Sequence, residues 1–251
     1  MKSLCFFVSY IPLKRSWLQL RWWRNTGSFH EMDLPYIEEL QKYFDKVIVI
    51  TNVKPKNDKF EYLILPNRGY DFGFFYRAIN QTDMSKYNFL GLINNSNILL
   101  KNKSLNSFFS WCKLNDSNFC GITDSFEKTH HIQSHFLIFK NNAINLLIEY
   151  FKDVEFEKFF LIKNKKKLRH AIINEVEIGL SQFMIRKGLK VASWFKADKI
   201  NSKYNKSMQT NIHVFLWEEL IKEGYPLMKK KIVQGEWENI IPNPWNKQIH
   251  L

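Results

Sequence analysis

Short apolar runs alternate with stretches of helical periodicity along the first half of the chain, and this alternation constrains the fold more than any other feature. Strands are predicted at residues 4–10, 46–51, 62–65, 87–93, 119–123 and 134–139, and helices at 33–44, 71–79 and 104–113. Strands that alternate with helices form βαβ units. We therefore predict an α/β fold with a mainly parallel central sheet that is flanked by helices.

The later part of the chain is more helical. Amphipathic segments predict helices at 142–151, 175–187 and 214–223, with Gly188 and Gly224 as stop residues. No repeat, low-complexity tract or flexible linker divides the sequence. We therefore expect a single domain over residues 1–251.

The charge composition favours polyanionic partners. The chain has 37 Lys and Arg against 24 Asp and Glu, a formal net charge of +13. Such a surface suits nucleic acid, anionic lipid or a nucleotide diphosphate, although a low-GC genome produces the same excess without a binding role. We recognise no RNA- or DNA-reading motif, so nucleic acid is not an expected partner. The basic run at 163–169 is either a solvated surface or a contact for anionic lipid or phosphate groups.

Cysteine usage and hydropathy predict a cytoplasmic protein. Cys5, Cys112 and Cys120 are odd in number and lack the paired spacing of a metal site, which favours reduced thiols. No run approaches the roughly 20 apolar residues that span a bilayer. The aromatic and basic stretch at 17–24 (WLQLRWWR) is predicted either to lie against the inner face of the plasma membrane or to form a partly buried helix.

Two polar segments follow predicted strands, where α/β sheets bind ligands. In the first, PNRGYDFG (66–73), glycines permit close backbone approach and the next helix N-terminus suits an anion. Asp71 either caps that helix or binds a ribose or sugar hydroxyl. The candidate ligand-binding residues here are Asn67, Arg68, Gly69, Asp71 and Gly73.

The second segment is the turn Asn94, Asn95, Ser96 and Asn97. Carboxylates at such a turn would hold a divalent ion against a diphosphate, and amides are poor substitutes as its only ligands. Three alternatives follow: Lys and Arg offset the diphosphate charge, a metal is held elsewhere, or the turn is merely polar.

Polar residues also surround the last predicted strand of the sheet. Asp124, His131, Gln133 and Ser134 are candidates for contacts with sugar hydroxyls. Adjacent His130 and His131 point to opposite faces of an extended chain, so we do not predict a metal site there.

Two carboxylates, Glu175 and Glu177, open the predicted helix at 175–187. A carboxylate is a suitable general base for an acceptor hydroxyl. The structural alternative is that both simply favour the first turn of a helix. If that segment is helical, the two side chains diverge and only one reaches the site.

Five motifs in order resemble the rhamnan synthesis protein F family of bacterial polysaccharide and O-antigen clusters. They are NRGYDFG (67–73), NNS (94–96), GIT (121–123) with HIQSHF (131–136), EIGLS (177–181), and NIH (211–213) with Trp217 and PLMK (226–229). The resemblance covers residues 35–240 or so. Two residues depart from the family pattern: Asn95 stands in place of Asp, and His135 in place of Tyr.

The resemblance implies a GT-A-like (Rossmann-like) glycosyltransferase that uses a dTDP-, UDP- or GDP-linked sugar, rhamnose among them. It implies a lipid-linked or lipid A-linked glycan as acceptor, a donor-binding half over about 1–125 and an acceptor and catalytic half over about 126–251. Glu177 follows Asn95 by 82 positions, similar to the spacing from diphosphate motif to base in many GT-A enzymes, so Glu177 is the first choice as base and Glu175 the second.

The remaining implications concern charge and metal. Arg68 or Lys229 would offset the charge on the leaving diphosphate. Because Asn95 replaces an acid, the need for a divalent metal is left open. For the same reason, a non-catalytic carbohydrate- or nucleotide-binding relic of a glycosyltransferase is kept as an alternative.

Overall fold

The computed structural model describes residues 2–11, 29–55 and 59–233. Its strands are β1 (Ser3–Val8), β2 (Lys46–Thr51), β3 (Glu61–Ile64), β4 (Phe89–Asn94), β5 (Asn97–Leu99), β6 (Phe119–Ser125), β7 (His131–Ile132), β8 (Phe136–Lys140), β9 (Val191–Phe195) and β10 (Leu227–Lys229). The segment 17–24, predicted to contact a membrane or form a helix, lies outside the described residues.

Helices flank the central sheet that most of these strands form. They are α1 (Phe29–Leu40), α2 (Tyr70–Asn80), α3 (Asn106–Leu114), α4 (Asn142–Asp153), α5 (Lys165–Ala171), α6 (Gly179–Arg186), α7 (Ala197–Lys203), α8 (Ile212–Phe215), α9 (Trp217–Lys222) and α10 (Lys230–Val233). Short 3-10 helices occur at Met84–Lys86 and Phe156–Leu161, and a π-helical segment, Ile172–Ile178, joins α5 to α6.

The central sheet has the order β3-β2-β1-β4-β8-β6-β7, and β9 pairs with the other side of β6. The pairs β1–β2, β1–β4, β2–β3 and β6–β9 are parallel, whereas β8 runs antiparallel to both β4 and β6. This confirms the predicted α/β class with a mainly parallel central sheet flanked by helices. Because β1 and β4 are parallel, with Val8 opposite Asn94, their carboxyl ends meet at one edge of the sheet.

Both faces of the sheet are buried, as its apolar strands predict. Successive side chains of β1 alternate between two cores. Phe6 packs with Phe75 and Tyr150 on one face, and Phe7 packs with Tyr36 on the other. Each of the aromatic rings Phe6, Phe7, Phe75 and Tyr36 is fully buried, so the edge that carries the polar turn rests on a rigid support.

Several elements differ from the sequence prediction. Helix α1 begins and ends four residues earlier than expected, the predicted helix at 214–223 is divided into α8 and α9, and the predicted helix at 175–187 is the end of a longer helical stretch that starts at Lys165. Strands β5, β7, β9 and β10 were not predicted. β5 and β10 are three-residue strands that pair only with each other, and such short strands carry no periodic signal.

The described residues include no helix with the length and apolar character needed to cross a membrane. The three cysteines are buried thiols, and the Sγ atoms of Cys112 and Cys120 lie 3.7 Å apart.

Candidate functional site

A cleft of about 910 Å³ opens at the edge where β1 and β4 end. It brings together eight of the predicted site residues: Asp71, Asn94, Asn95, Ser96, His131, Gln133, Ser134 and Glu177. These residues come from four separate sequence segments. Their convergence is the geometric result that the parallel strands of the sheet predict.

Six predicted site residues do not line the cleft: Asn67, Arg68, Gly69, Gly73, Asp124 and Glu175. Asn67, Arg68 and Gly69 form the loop before α2, and Gly73 lies in the first turn of that helix. Gly69 has φ of 81°, and a Cβ on Gly73 would stand 1.7 Å from the Arg68 carbonyl oxygen. These glycines are therefore required by the backbone path, while the Arg68 side chain lies exposed outside the cleft.

The other two, Asp124 and Glu175, have structural partners. Asp124 is buried, accepts a hydrogen bond from the Ala197 backbone N–H at 2.6 Å, and contacts His130 Nε2 at 2.9 Å. Glu175 forms a surface ion pair with Lys158 at 2.8 Å. Asp124 thus fixes the start of α7 to β6, and Glu175 points away from the cleft.

Asp71 does not cap α2, which begins after Gly69 without a side-chain cap. Its Oδ2 instead accepts a hydrogen bond from Asn94 Nδ2 at 2.7 Å, and Asn94 Oδ1 accepts from the Ser96 N–H at 3.0 Å. The Asn94 amide therefore fixes both the carboxylate and the turn. Burial, together with the nearby carboxylate of Glu177, raises the pKa of Asp71 to about 6, and the bond from Asn94 opposes this shift.

A buried ion pair supports the turn from beneath. Asp33 Oδ2 accepts hydrogen bonds from Ser9 Oγ at 2.6 Å and from Asn95 Nδ2 at 2.9 Å, while its Oδ1 pairs with the ammonium of Lys230. Asp33 is fully buried and Lys230 is 5% exposed. The Asn95 amide therefore serves as a donor to an internal carboxylate.

Glu177 lies in the π-helical segment, where the Gly179 N–H donates to the Asn174 carbonyl five residues earlier. A Cβ on Gly179 would meet Tyr150 Oη at 2.2 Å, so only glycine leaves room for that hydroxyl, which donates to the Glu175 carbonyl. The widened turn directs Glu177 into the cleft and Glu175 outward. Such interruptions of an α-helix are frequent at functional sites.

The backbone of the loop before β8 holds Glu177 in place. The Ser134 N–H donates to Glu177 Oε1 at 2.9 Å. Among the described residues, Glu177 Oε2 has no hydrogen-bond partner. One oxygen of the carboxylate is thus anchored, and the other is available to a ligand.

A network that the sequence analysis did not identify lies beside Glu177. Gln133 accepts from Thr123 Oγ1 at 2.7 Å and donates to Asn211 Oδ1 at 3.2 Å, and Asn211 donates to Glu127 Oε2 at 2.8 Å. Glu127 and Asn211 both line the cleft. Asn211 belongs to the NIH segment of the family resemblance, which was the available signal for it.

Two buried histidines, His135 and His213, pack against each other near the turn. The rings of His135 and His213 are 4.2 Å apart, and the Tyr225 hydroxyl lies 3.1 Å from His135 Nε2 and 3.2 Å from His213 Nε2. Burial lowers the pKa of both histidines well below the usual value. They are therefore neutral side chains, and His135 lines the cleft.

Cations also line the cleft. Strand β10 pairs with β5 so that Lys229 lies opposite Asn97, and both Lys229 and Arg169 line the cleft. Burial lowers the pKa of Lys229 to about 8, although Glu177 and Glu127 raise it. Of the two cations predicted to offset phosphate charge, Lys229 reaches the cleft and Arg68 does not.

The side chains at the turn do not fit a divalent metal ion. Asn94 and Asn95 supply amides that are already bonded to Asp71 and Asp33, and the Asp33 carboxylate is neutralised by Lys230. Hard dications prefer carboxylate oxygens. Within residues 2–11, 29–55 and 59–233, no three His, Cys, Asp or Glu side chains converge as a metal site.

The raised pKa of Asp71 predicts a specific pH dependence of stability. An acid whose pKa is about 6 in the folded state and about 3.9 in the unfolded state destabilises the fold as pH rises through that interval. We therefore expect the free energy of unfolding of Asp71→Asn, relative to that of the wild type, to increase as pH rises from about 4 to about 7. Urea unfolding at a series of pH values measures this difference.

Asp45→Asn is the control with the opposite sign. Hydrogen bonds from the Ser3 N–H and hydroxyl lower the pKa of Asp45, so this variant loses stability relative to the wild type over the acidic range as pH rises. A pH-independent difference for Asp71→Asn would show that Asp71 does not have a raised pKa.

No protein-family model matches the chain, so the resemblance to the rhamnan synthesis protein F family stays a prediction. The Virulence protein VirA of Vibrio anguillarum is 25% identical over 192 residues, covering 67% of this chain and 60% of that protein. The matched region thus spans less than two thirds of the length of that relative.

Three solved structures are similar in part. The 2-C-methyl-D-erythritol 4-phosphate cytidylyltransferase of Francisella tularensis has a TM-score of 0.46 and 12% identity, covering 77% of this chain and 90% of that one. A nucleotide-diphospho-sugar transferase from Desulfovibrio desulfuricans has a TM-score of 0.42 and 10% identity, and the match covers 90% of this chain and 99% of that one. The glycosyltransferase GlyE of Streptococcus pneumoniae has a TM-score of 0.40 and 12% identity, and the match covers 98% of this chain and 57% of that one. At these scores and identities the similarities assign no activity.

Proposed function

We propose that this chain is a glycosyltransferase that moves a sugar from a nucleotide-sugar donor to a glycan acceptor, with Glu177 as general base. The observation that carries the proposal is the position of the Glu177 carboxylate. It is anchored on one oxygen by the Ser134 N–H, lies near Asp71, and faces a cleft at the carboxyl edge of a mainly parallel sheet.

The proposed reaction is a displacement at the anomeric carbon of the donor. The acceptor oxygen forms the new glycosidic bond while its proton passes to Glu177. The bond from the anomeric carbon to the phosphate oxygen breaks, and its electron pair stays on the nucleoside diphosphate. The fixed carboxylate favours this step because a positioned base contributes about 10²- to 10⁴-fold to the rate.

The two parts of the chain contribute different walls. In this proposal, Asp71, Asn94, Asn95 and Ser96, from the donor-binding half over about 1–125, hold the nucleotide sugar. His131, Gln133 and Ser134, from the half over about 126–251, contact the sugar or the acceptor. Asn67, Arg68, Gly69 and Gly73 support the donor loop, and Asp124 supports the acceptor side, without lining the cleft.

The donor and acceptor follow from the family resemblance and from charge. We propose a dTDP-, UDP- or GDP-linked sugar, rhamnose among the candidates, and a lipid-linked or lipid A-linked glycan of a surface polysaccharide or lipopolysaccharide. The basic helix α5 supports an anionic acceptor at the inner face of the plasma membrane, because its exposed lysines continue into Arg169 at the cleft wall.

A second candidate function is a non-catalytic nucleotide- or carbohydrate-binding relic. Asn95, with its amide donating to Asp33 where the family resemblance expects an acid, favours it. Donor turnover that rises when acceptor is added would exclude the relic.

A thermal-shift panel tests the proposal. UDP, GDP, dTDP and their sugar conjugates are each added to the chain with and without Mg²⁺ or Mn²⁺. A ligand at 100 times its Kd stabilises the folded state by about 2.7 kcal/mol, so we expect one nucleotide series to raise the Tm clearly. No shift with any nucleotide or conjugate would contradict the proposal.

A further inference from the structure

The strand pairing of β10 places three consecutive lysines at the polar turn. The Lys230 N–H donates to the Ser96 carbonyl at 2.9 Å, and Lys229 lies opposite Asn97 in the ladder. All three lysines line the cleft. Lys230 points inward to the buried Asp33. Lys229 is half-buried and pairs with Asn97, the last residue of the polar turn.

Lys229 has no hydrogen-bond or ion-pair partner among the described residues, although it is half-buried. A partly desolvated ammonium without a partner is costly. The carboxylates of Glu177 and Glu127 and the cation of Arg169 all act on it at longer range. A cation in this position is stabilised when an anion enters the cleft between it and Arg169.

The polar turn at 94–97 supplies no charge that could neutralise such an anion. Its amides bond to Asp71 and Asp33, and the Asp33 charge is cancelled by Lys230. The cleft therefore combines amide groups at the turn with the cations of Lys229 and Arg169. Cations of the protein can offset charge on a leaving phosphate without any ion from solution.

We propose that Lys229, with Arg169, binds the diphosphate of the donor directly, so that donor binding requires no divalent metal ion. This inference rests on the proposed function, since it names the group that holds the leaving diphosphate of that reaction. Lys229 carries the main interaction because it is half-buried, and Arg169 adds a second contact from an exposed position on α5.

Isothermal titration of UDP, GDP and dTDP into the full chain, in EDTA and again in Mg²⁺ or Mn²⁺, tests this proposal. We expect the nucleotide that binds to keep its Kd in EDTA within about threefold, and Lys229→Met to weaken it about 10- to 100-fold, as expected for the loss of a charged hydrogen bond. Arg169→Gln, on an exposed helix, should weaken it by a smaller factor. Lys222→Met, an exposed lysine of α9 away from the cleft, is the matched control.

The outcomes separate the two claims. Nucleotide binding that appears only with the metal ion, or that is unchanged in both Lys229→Met and Arg169→Gln, would overturn this inference and leave the proposed function standing. Absence of binding under every condition would overturn both. If Lys229→Met does not fold, Arg169→Gln and the comparison of EDTA with metal decide the question.

Discussion

Glu177→Gln should lower the kcat for sugar transfer by about 10²- to 10⁴-fold, the usual contribution of a positioned general base. The amide keeps the shape of the side chain and can still accept the hydrogen bond that the Ser134 N–H donates to Oε1. It cannot accept the acceptor's proton. We therefore expect the folded structure and nucleotide binding to be retained while turnover is lost, as measured by release of nucleoside diphosphate with acceptor present.

Glu175→Gln is the matched control for this experiment. Glu175 lies two residues away on the same π-helical segment, but its side chain pairs with Lys158 at the surface. Turnover should remain close to that of the wild type. Equal losses in both variants, or full activity in Glu177→Gln, would remove Glu177 as the base.

Lys230→Met should destabilise the fold by about 3–5 kcal/mol, since breaking a buried ion pair leaves the other charge uncompensated. The partner is Asp33, which is fully buried next to the polar turn at 94–97. Its remaining hydrogen bonds, from Ser9 and Asn95, do not cancel its charge. Urea unfolding at neutral pH measures the difference in the free energy of unfolding.

The double variant Asp33→Asn with Lys230→Met tests the cause. It removes both charges, so much of the lost stability should return relative to Lys230→Met alone. A strictly additive double variant, or a loss below about 1 kcal/mol for Lys230→Met, the size of a surface pair, would show that the pair does not support the turn.

The main strands and the edge that carries the site could be predicted because their signals are local. Apolar, β-branched runs such as KVIVIT at 46–51 predict buried strands. Parallel strands bring their carboxyl ends to the same edge of the sheet whatever their order. Asp71 follows β3 and Asn94 ends β4, so both lie at this edge of the sheet, whereas Glu177 reaches the cleft from the π-helical segment. The role of each in the reaction stays a prediction.

The parts that could not be predicted depend on geometry between distant residues. Which of Glu175 and Glu177 reaches the cleft depends on a π-helical turn, against which Tyr150 packs at Gly179. The sequence pattern around Glu175 is equally compatible with an ordinary first helical turn. The glycines of the 66–73 loop look like ligand contacts in sequence, yet their small size serves the backbone path.

The lysines at 229–231 are the clearest case of site residues whose position depends on contacts between distant parts of the chain. Asp33 and Lys230 are 197 positions apart, and β10 has three residues. A strand this short carries no period. The family resemblance pointed to Lys229, but its place beside Asn97 follows only from the pairing of β10 with β5. In the sequence, the basic run MKKK at 228–231 would equally suit a solvated surface.

The central claim is that this cleft holds a nucleotide sugar, and a crystal structure of the chain with a bound nucleoside diphosphate tests it most directly. We expect density for the ligand in the cleft, with its phosphates beside Lys229 and its diphosphate end directed towards Glu177. Density for the ligand at another surface, with the cleft empty at saturating ligand, would contradict it.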